Sequence, residues 1–157
     1  MMSLQFYNGR AKGAKFVHKA ILTVSDPYTH VELVFSDGVS FSSELRIGPR
    51  FKQIGYSHPD RWRRVDLPFC GAADEARVRY RADLLATLCQ RGLVKYDTAG
   101  AILCAATGHD NPWNFFCSEV VYEVLAPEIA VPVLNHKMHP QRLLTVVEII
   151  TDLHALK

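Results

Sequence analysis

The sequence predicts an α+β domain, an antiparallel sheet packed against helices, and three observations carry that prediction. Residues 29–43 alternate apolar and polar side chains on either side of a glycine turn. Residues 73–91 carry apolar side chains at helical spacing, and two further helical patterns open at Cys117 and Pro140. Strand signals therefore crowd the first half and helix signals the second. A length of 157 residues fits one domain, and 48% hydrophobic content is ordinary for a globular core.

Taken in order, Ala14 to Val24 is rich in β-branched and aromatic residues and predicts an opening strand, closed by Ser25-Asp26-Pro27. Val31, Leu33 and Phe35 then alternate against His30 and Glu32, Ser36-Asp37-Gly38 makes a hairpin turn, and Val39 to Ser43 returns. Two registers are open. A two-residue loop puts Ser43 on the face of His30 and Glu32, whereas a left-handed Gly38 after a three-residue loop puts Ser42 and Glu44 there. Gly48-Pro49, Gly55, His58-Pro59 and Pro68 predict loops and one or two short strands. Ala73 to Arg91 predicts a helix with the stripe Ala76, Tyr80, Leu84 and Leu88, acidic residues in its first turn and Gly92 at its end. A short helical piece over 99–106 precedes the Cys117 helix, which is expected to end near Ala126-Pro127. In the last helix Leu143, Val147, Ile150 and Leu153 or His154 recur on one face.

A net charge of +2, with cations scattered except at Arg61-Trp62-Arg63-Arg64 and around 77–81, reads as solvated surface and predicts no nucleic-acid partner. No stretch approaches membrane-spanning length, and no apolar run near the N-terminus precedes a small-residue cleavage site, which predicts a cytosolic protein. Cys70, Cys89, Cys104 and Cys117 form no C-x-x-C pair, so neither a disulfide framework nor a zinc site is expected. His109-Asp110, His136 and His139 match no zinc spacing, and no metal or other cofactor is predicted.

Cys117 stands where the aromatic-rich approach Trp113-Asn114-Phe115-Phe116 gives way to Val120, Val121, Val124 and Leu125 at helical spacing. A buried cysteine is ordinarily inert. At a helix start, however, the unpaired N–H groups and the positive end of the macrodipole favour an anion, and the thiolate is the reactive form. Cys70, Cys89 and Cys104 lie in apolar surroundings and read as core residues. An imidazole within reach would hold the proton and deliver it to a leaving group.

Thr29-His30-Val31-Glu32-Leu33-Val34, the turn at Asp37-Gly38, Tyr96-Asp97 and Phe116-Cys117-Ser118-Glu119-Val120-Val121 together resemble the permuted papain-like cysteine hydrolases. These are the YiiX-like and YaeF-like proteins, related to NlpC-type cell-wall peptidases and more distantly to lecithin:retinol acyltransferase, with many phage and prophage members. In papain the nucleophile precedes the histidine; in the permuted group the histidine strand comes first, as His30 does here. The resemblance covers roughly residues 14 to 125, and Phe-Cys-Ser-Glu-Val-Val is its most specific part.

It implies a permuted papain-like fold with Cys117 as nucleophile and His30 as base and acid. The substrate would be a small molecule, a peptide such as one from the cell wall, or a lipid, attacked at an acyl bond, with release or delivery by phage if the substrate is murein. It also implies a third residue that orients the imidazole. Many relatives carry Glu, Gln, Asn or His on the strand after the hairpin; here that place falls on Ser42 or Ser43, with Glu44 just beyond and Glu32 two residues along the His30 strand. The alternative is a non-catalytic descendant of the fold serving in phage assembly or host interaction. Tyr96, Asp97 and Trp113 are candidates for the substrate cleft, against capping by Tyr96-Asp97 and core packing by Trp113. The N–H of Cys117 is a candidate oxyanion donor, a role worth about 3–4 kcal/mol in the transition state.

Overall fold

A computed structural model describes residues 1–13, 16–22, 25–56, 58–96, 114–129 and 138–155. Its first half holds strands β1 (Ser3–Asn8), β2 (Tyr28–Val34), β3 (Val39–Glu44), β4 (Gly48–Gln53) and β5 (Trp62–Asp66), with helix α1 (Phe16–Ile21) between β1 and β2. Its second half holds helix α2 (Ala72–Gln90), two-residue strands β6 (Lys95–Tyr96) and β7 (Asn114–Phe115), and helices α3 (Cys117–Ile129) and α4 (Pro140–Ala155). The five longer strands form one antiparallel sheet in the order β4-β3-β2-β1-β5, and β6 pairs with β7 in parallel. The architecture is therefore α+β.

The hairpin takes the three-residue loop. Gly38, at φ +82, donates to the Phe35 carbonyl, and Phe35 donates to Val39. Leu33 then faces Phe41 and Val34 faces Ser40. By alternation Ser42 and Glu44, and not Ser43, share the face of His30 and Glu32. The opposite face carries Leu4, Phe6, Val31, Leu33 and Phe41, which join Val120, Val121, Val124 and Leu125 of α3 and Leu143, Leu144 and Val147 of α4 in one core. Helix α3 packs on β2 and β3, α4 on β2, and α2 on β4.

Five expectations change. The strand predicted over 14–24 is a helix where it is described, and β1, which the pattern did not single out, takes the place beside β2. With β1 and β3 on its two sides, β2 has no edge left for the 14–24 segment, and tertiary pairing overrides local propensity. On α2 the inward stripe is Val78, Ala82 and Ala86, while Tyr80 and Leu84 stay 71% and 49% exposed. The two stripes lie about half a turn apart. Small side chains let α2 approach the sheet closely, and Arg77 and Arg81 reach across to Glu128 of α3. Helix α3 continues past Pro127 to Ile129, because Ile129 is buried and Glu128 is held by those two arginines. On α4 Leu143, Val147 and Ile150 are buried as expected, but Leu153 and His154 are exposed. Among the cysteines read as core, Cys70 is buried and Cys89 only half-buried. The predicted piece over 99–106, and Cys104, His109, Asp110 and His136, lie outside the described residues.

The strands β4 and β5 stand at opposite edges of the sheet, so the chain between them must cross it. It crosses on the His30 and Glu32 face, since the Tyr56 hydroxyl donates to Glu32 Oε2 at 3.0 Å and the Tyr56 ring lies 4.3 Å from that of Trp62.

Candidate functional site

Cys117 is the first residue of α3, as expected. The Phe116 N–H donates to Glu119 Oε2 at 3.3 Å, and the Phe116 carbonyl accepts from Val120, so the aromatic residue caps the helix and the thiol sits in its first turn. The thiol is 3% exposed and lines a small cavity with Ile21, Thr29, Tyr96, Phe116 and His139.

His30 approaches that thiol from β2: the Cys117 sulfur acts electrostatically on its imidazole, whose Nε2 lies 3.4 Å from Glu32 Oε1. Burial alone would drive the imidazole toward its neutral form, but the Cys117 sulfur and then Glu32 outweigh burial and raise its pKa to about 10. Glu32 is wholly buried on the same strand. Burial favours its acid form, yet His30 and the Lys52 ammonium of β4, which also touches Oε1, lower its pKa to about 2. The Tyr56 phenol is pushed up by burial and by Glu32, so it stays protonated and donates to the carboxylate. The arrangement runs from sulfur to imidazole to carboxylate to ammonium, with the carboxylate held by His30, Lys52 and Tyr56.

Of the four candidates for the third residue, Glu32 stands next to the imidazole. Ser42 Oγ donates to the Val31 carbonyl at 2.6 Å. Glu44 is turned to Arg50 and Lys52. Ser43 is buried and lines the cleft described below. Tyr96 lines both cavities from the end of β6. Asp97 and Trp113 lie outside the described residues. Lys52, Tyr56 and Trp62 are neighbours of the site that the sequence reading did not assign to it. The alternation of Arg50 and Lys52 places both on one face of a strand, but only the β3–β4 register brings Lys52 to Glu32.

Beside His30 opens a cleft of about 580 Å³. One wall is a row of rings: Tyr56 on Trp62, Trp62 edge-on to Tyr7 at 5.2 Å, and Tyr7 on His18 at 4.7 Å. Trp62 also stands edge-on to His30 at 6.1 Å. Among the described residues no group of three or more His, Cys, Asp or Glu side chains is placed to hold a metal, and no helix is long and apolar enough to cross a membrane.

The charge chain fixes how stability depends on pH. His30, raised from 6.5 to about 10, contributes stability that is complete below pH 6.5 and is lost as pH rises through about 10. Glu32, lowered from 4.5 to about 2, contributes stability that is complete above pH 4.5 and is lost as pH falls through about 2. Both contributions are whole between pH 4.5 and 6.5. The urea midpoint is expected to decline from there toward pH 10, and His30→Asn should flatten that decline. An equal decline in the variant would assign it to other groups.

Compared with known proteins, the chain matches no family model, no curated protein and no solved structure.

Proposed function

We propose that this chain is a thiol-dependent hydrolase or acyl-transferase with a permuted papain-like fold, acting on an amide, peptide or lipid acyl bond. The observation that carries the reading is the electrostatic coupling of Cys117, in the first turn of α3, to His30, itself backed by Glu32. Permuted order is supported by the chain, in which the histidine strand of an antiparallel sheet precedes the cysteine helix. The Cys117 thiolate adds to the carbonyl carbon, and the first-turn N–H groups of α3 face the oxyanion that forms. As the intermediate collapses, protonated His30 gives its proton to the departing amine or alcohol, leaving an acyl-cysteine and a neutral imidazole. Neutral His30 then takes a proton from water, or from an acceptor hydroxyl or amine, which attacks the thioester and returns the thiolate. Glu32 keeps the imidazole oriented and favours its charged form.

One observation favours a second reading, a non-catalytic descendant of the fold in phage assembly or host interaction: the thiol is only 3% exposed. Alkylation separates the two. Burial, with Asp74 and Glu128, pushes Cys70 up to about 12, and burial raises Cys89, so both should react slowly. With iodoacetamide at about pH 6, well below the ordinary thiol value, mass spectrometry should find Cys117 modified first. The His30→Ala chain should lose about tenfold or more of that rate. A Cys117 that reacts no faster than Cys70 and Cys89 overturns the hydrolase reading.

A further inference from the structure

The carboxylates that border the cleft are already neutralised. Glu32 lies between His30 and Lys52, and Glu44 between Arg50 and Lys52. Arg61 is different. It lines the same cleft from the turn just before Trp62, it is half-buried, and among the described residues its guanidinium has no carboxylate partner. Its two terminal nitrogens lie against Gly13, where an added Cβ would sit 3.9 Å from each and where φ is +84. His58 is exposed and lines the same cleft. A guanidinium presents five donors in a planar fork that matches a carboxylate or phosphate bidentately. The neighbouring wall of Tyr7, Trp62 and Tyr56 offers ring surface to a flat or apolar body.

We propose that this cleft is a binding site for anionic compounds, in which Arg61 holds a carboxylate or phosphate while a planar or apolar body packs on Tyr7, Trp62 and Tyr56. This names the substrate class of the site above and, as a statement about substrate, rests on the hydrolase reading. The acyl bond to be cleaved then belongs to a molecule with an anionic group on one side of it.

The test reads binding without chemistry. The quenching of tryptophan fluorescence in the full chain is titrated with benzoate and phenyl phosphate, and with neutral benzamide and benzyl alcohol. The anions should bind about tenfold more tightly than the neutral probes, and the tighter of the two identifies the group the cleft prefers. Arg61→Met should bring the anions down to the neutral level, and Trp62→Leu should weaken all four probes. In the natural chain, salt raised from about 0.05 to about 0.5 M should shrink the preference, a readout that does not depend on a variant folding. Equal affinity for anions and neutrals, or a preference that survives Arg61→Met, overturns the site. The two readings fail separately. Anion binding in a chain whose Cys117 is as slow as Cys70 overturns the hydrolase and keeps the binding site. A fast Cys117 with no anion preference does the reverse.

Discussion

Glu32→Ala is expected to destabilise the fold by about 3–5 kcal/mol, the scale on which a buried ion pair loses one partner. Glu32 is wholly buried between two cations, so its removal leaves His30 and Lys52 facing one another with no charge between them. It also strips the Tyr56 hydroxyl of its acceptor. Lys52 keeps 30% of its side chain in solvent and can partly rehydrate, which places the loss toward the lower end, ~3 kcal/mol. Urea denaturation at about pH 6, where the contributions of both His30 and Glu32 are whole, measures it. In the same variant the His30 titration, followed by NMR, should fall below that of the natural chain, because Glu32 is one of the two groups that raise it. Glu32→Leu combined with Lys52→Met should recover much of the stability, since an apolar pair replaces a charged one at little net cost. It should not recover the His30 titration. A loss under about 1 kcal/mol for Glu32→Ala would mean that the carboxylate is hydrated in the folded chain.

Phe6→Ala is expected to cost about 3–5 kcal/mol, the range for emptying a buried aromatic site. Phe6 is wholly buried in β1, opposite Val31 on one side and Arg63 on the other, with the Tyr28 ring edge-on at 5.8 Å. Because Val31 lies between His30 and Glu32, the cavity opens directly behind the site. Phe6→Leu, which keeps most of the volume, should cost less than half as much by the same denaturation measurement. If the two variants were equally destabilised, the ring's geometry and not its volume would be what the sheet requires.

Phe6 also shows where sequence reasoning stopped. Leu4 and Phe6 alternate with Gln5 and Tyr7 as a strand should, but six residues give little periodicity, and the β-branched run that follows outweighed them. That run instead contains a helix over Phe16–Ile21, a choice made by the occupied neighbours of β2 and invisible in local composition. The hairpin and the helix that begins at Cys117 were legible because each is specified locally, by Gly38 and strict alternation in one case and by apolar spacing in the other. The α2 stripe was misread because alanine counts weakly as apolar, yet Ala82 and Ala86 are what the core admits. At the site, Cys117 and His30 could be paired from the sequence only through the resemblance. Glu32, Ser42, Ser43 and Glu44 were equivalent until Gly38 set the register and Lys52 and Tyr56 arrived from β4 and beyond.

The crossing of the sheet by the chain between β4 and β5 gives the molecule two separately adjustable parts. Cys117, His30 and Glu32 stand on a helix and a central strand, where any change disturbs packing on both sides. Gly55, His58 and Arg61 border the cleft from a connection whose two ends are pinned by paired strands. Variation there can alter what the cleft admits while the sulfur and imidazole keep their places, so a library randomised at positions 55, 58 and 61 would explore new ligands without first having to rebuild the fold.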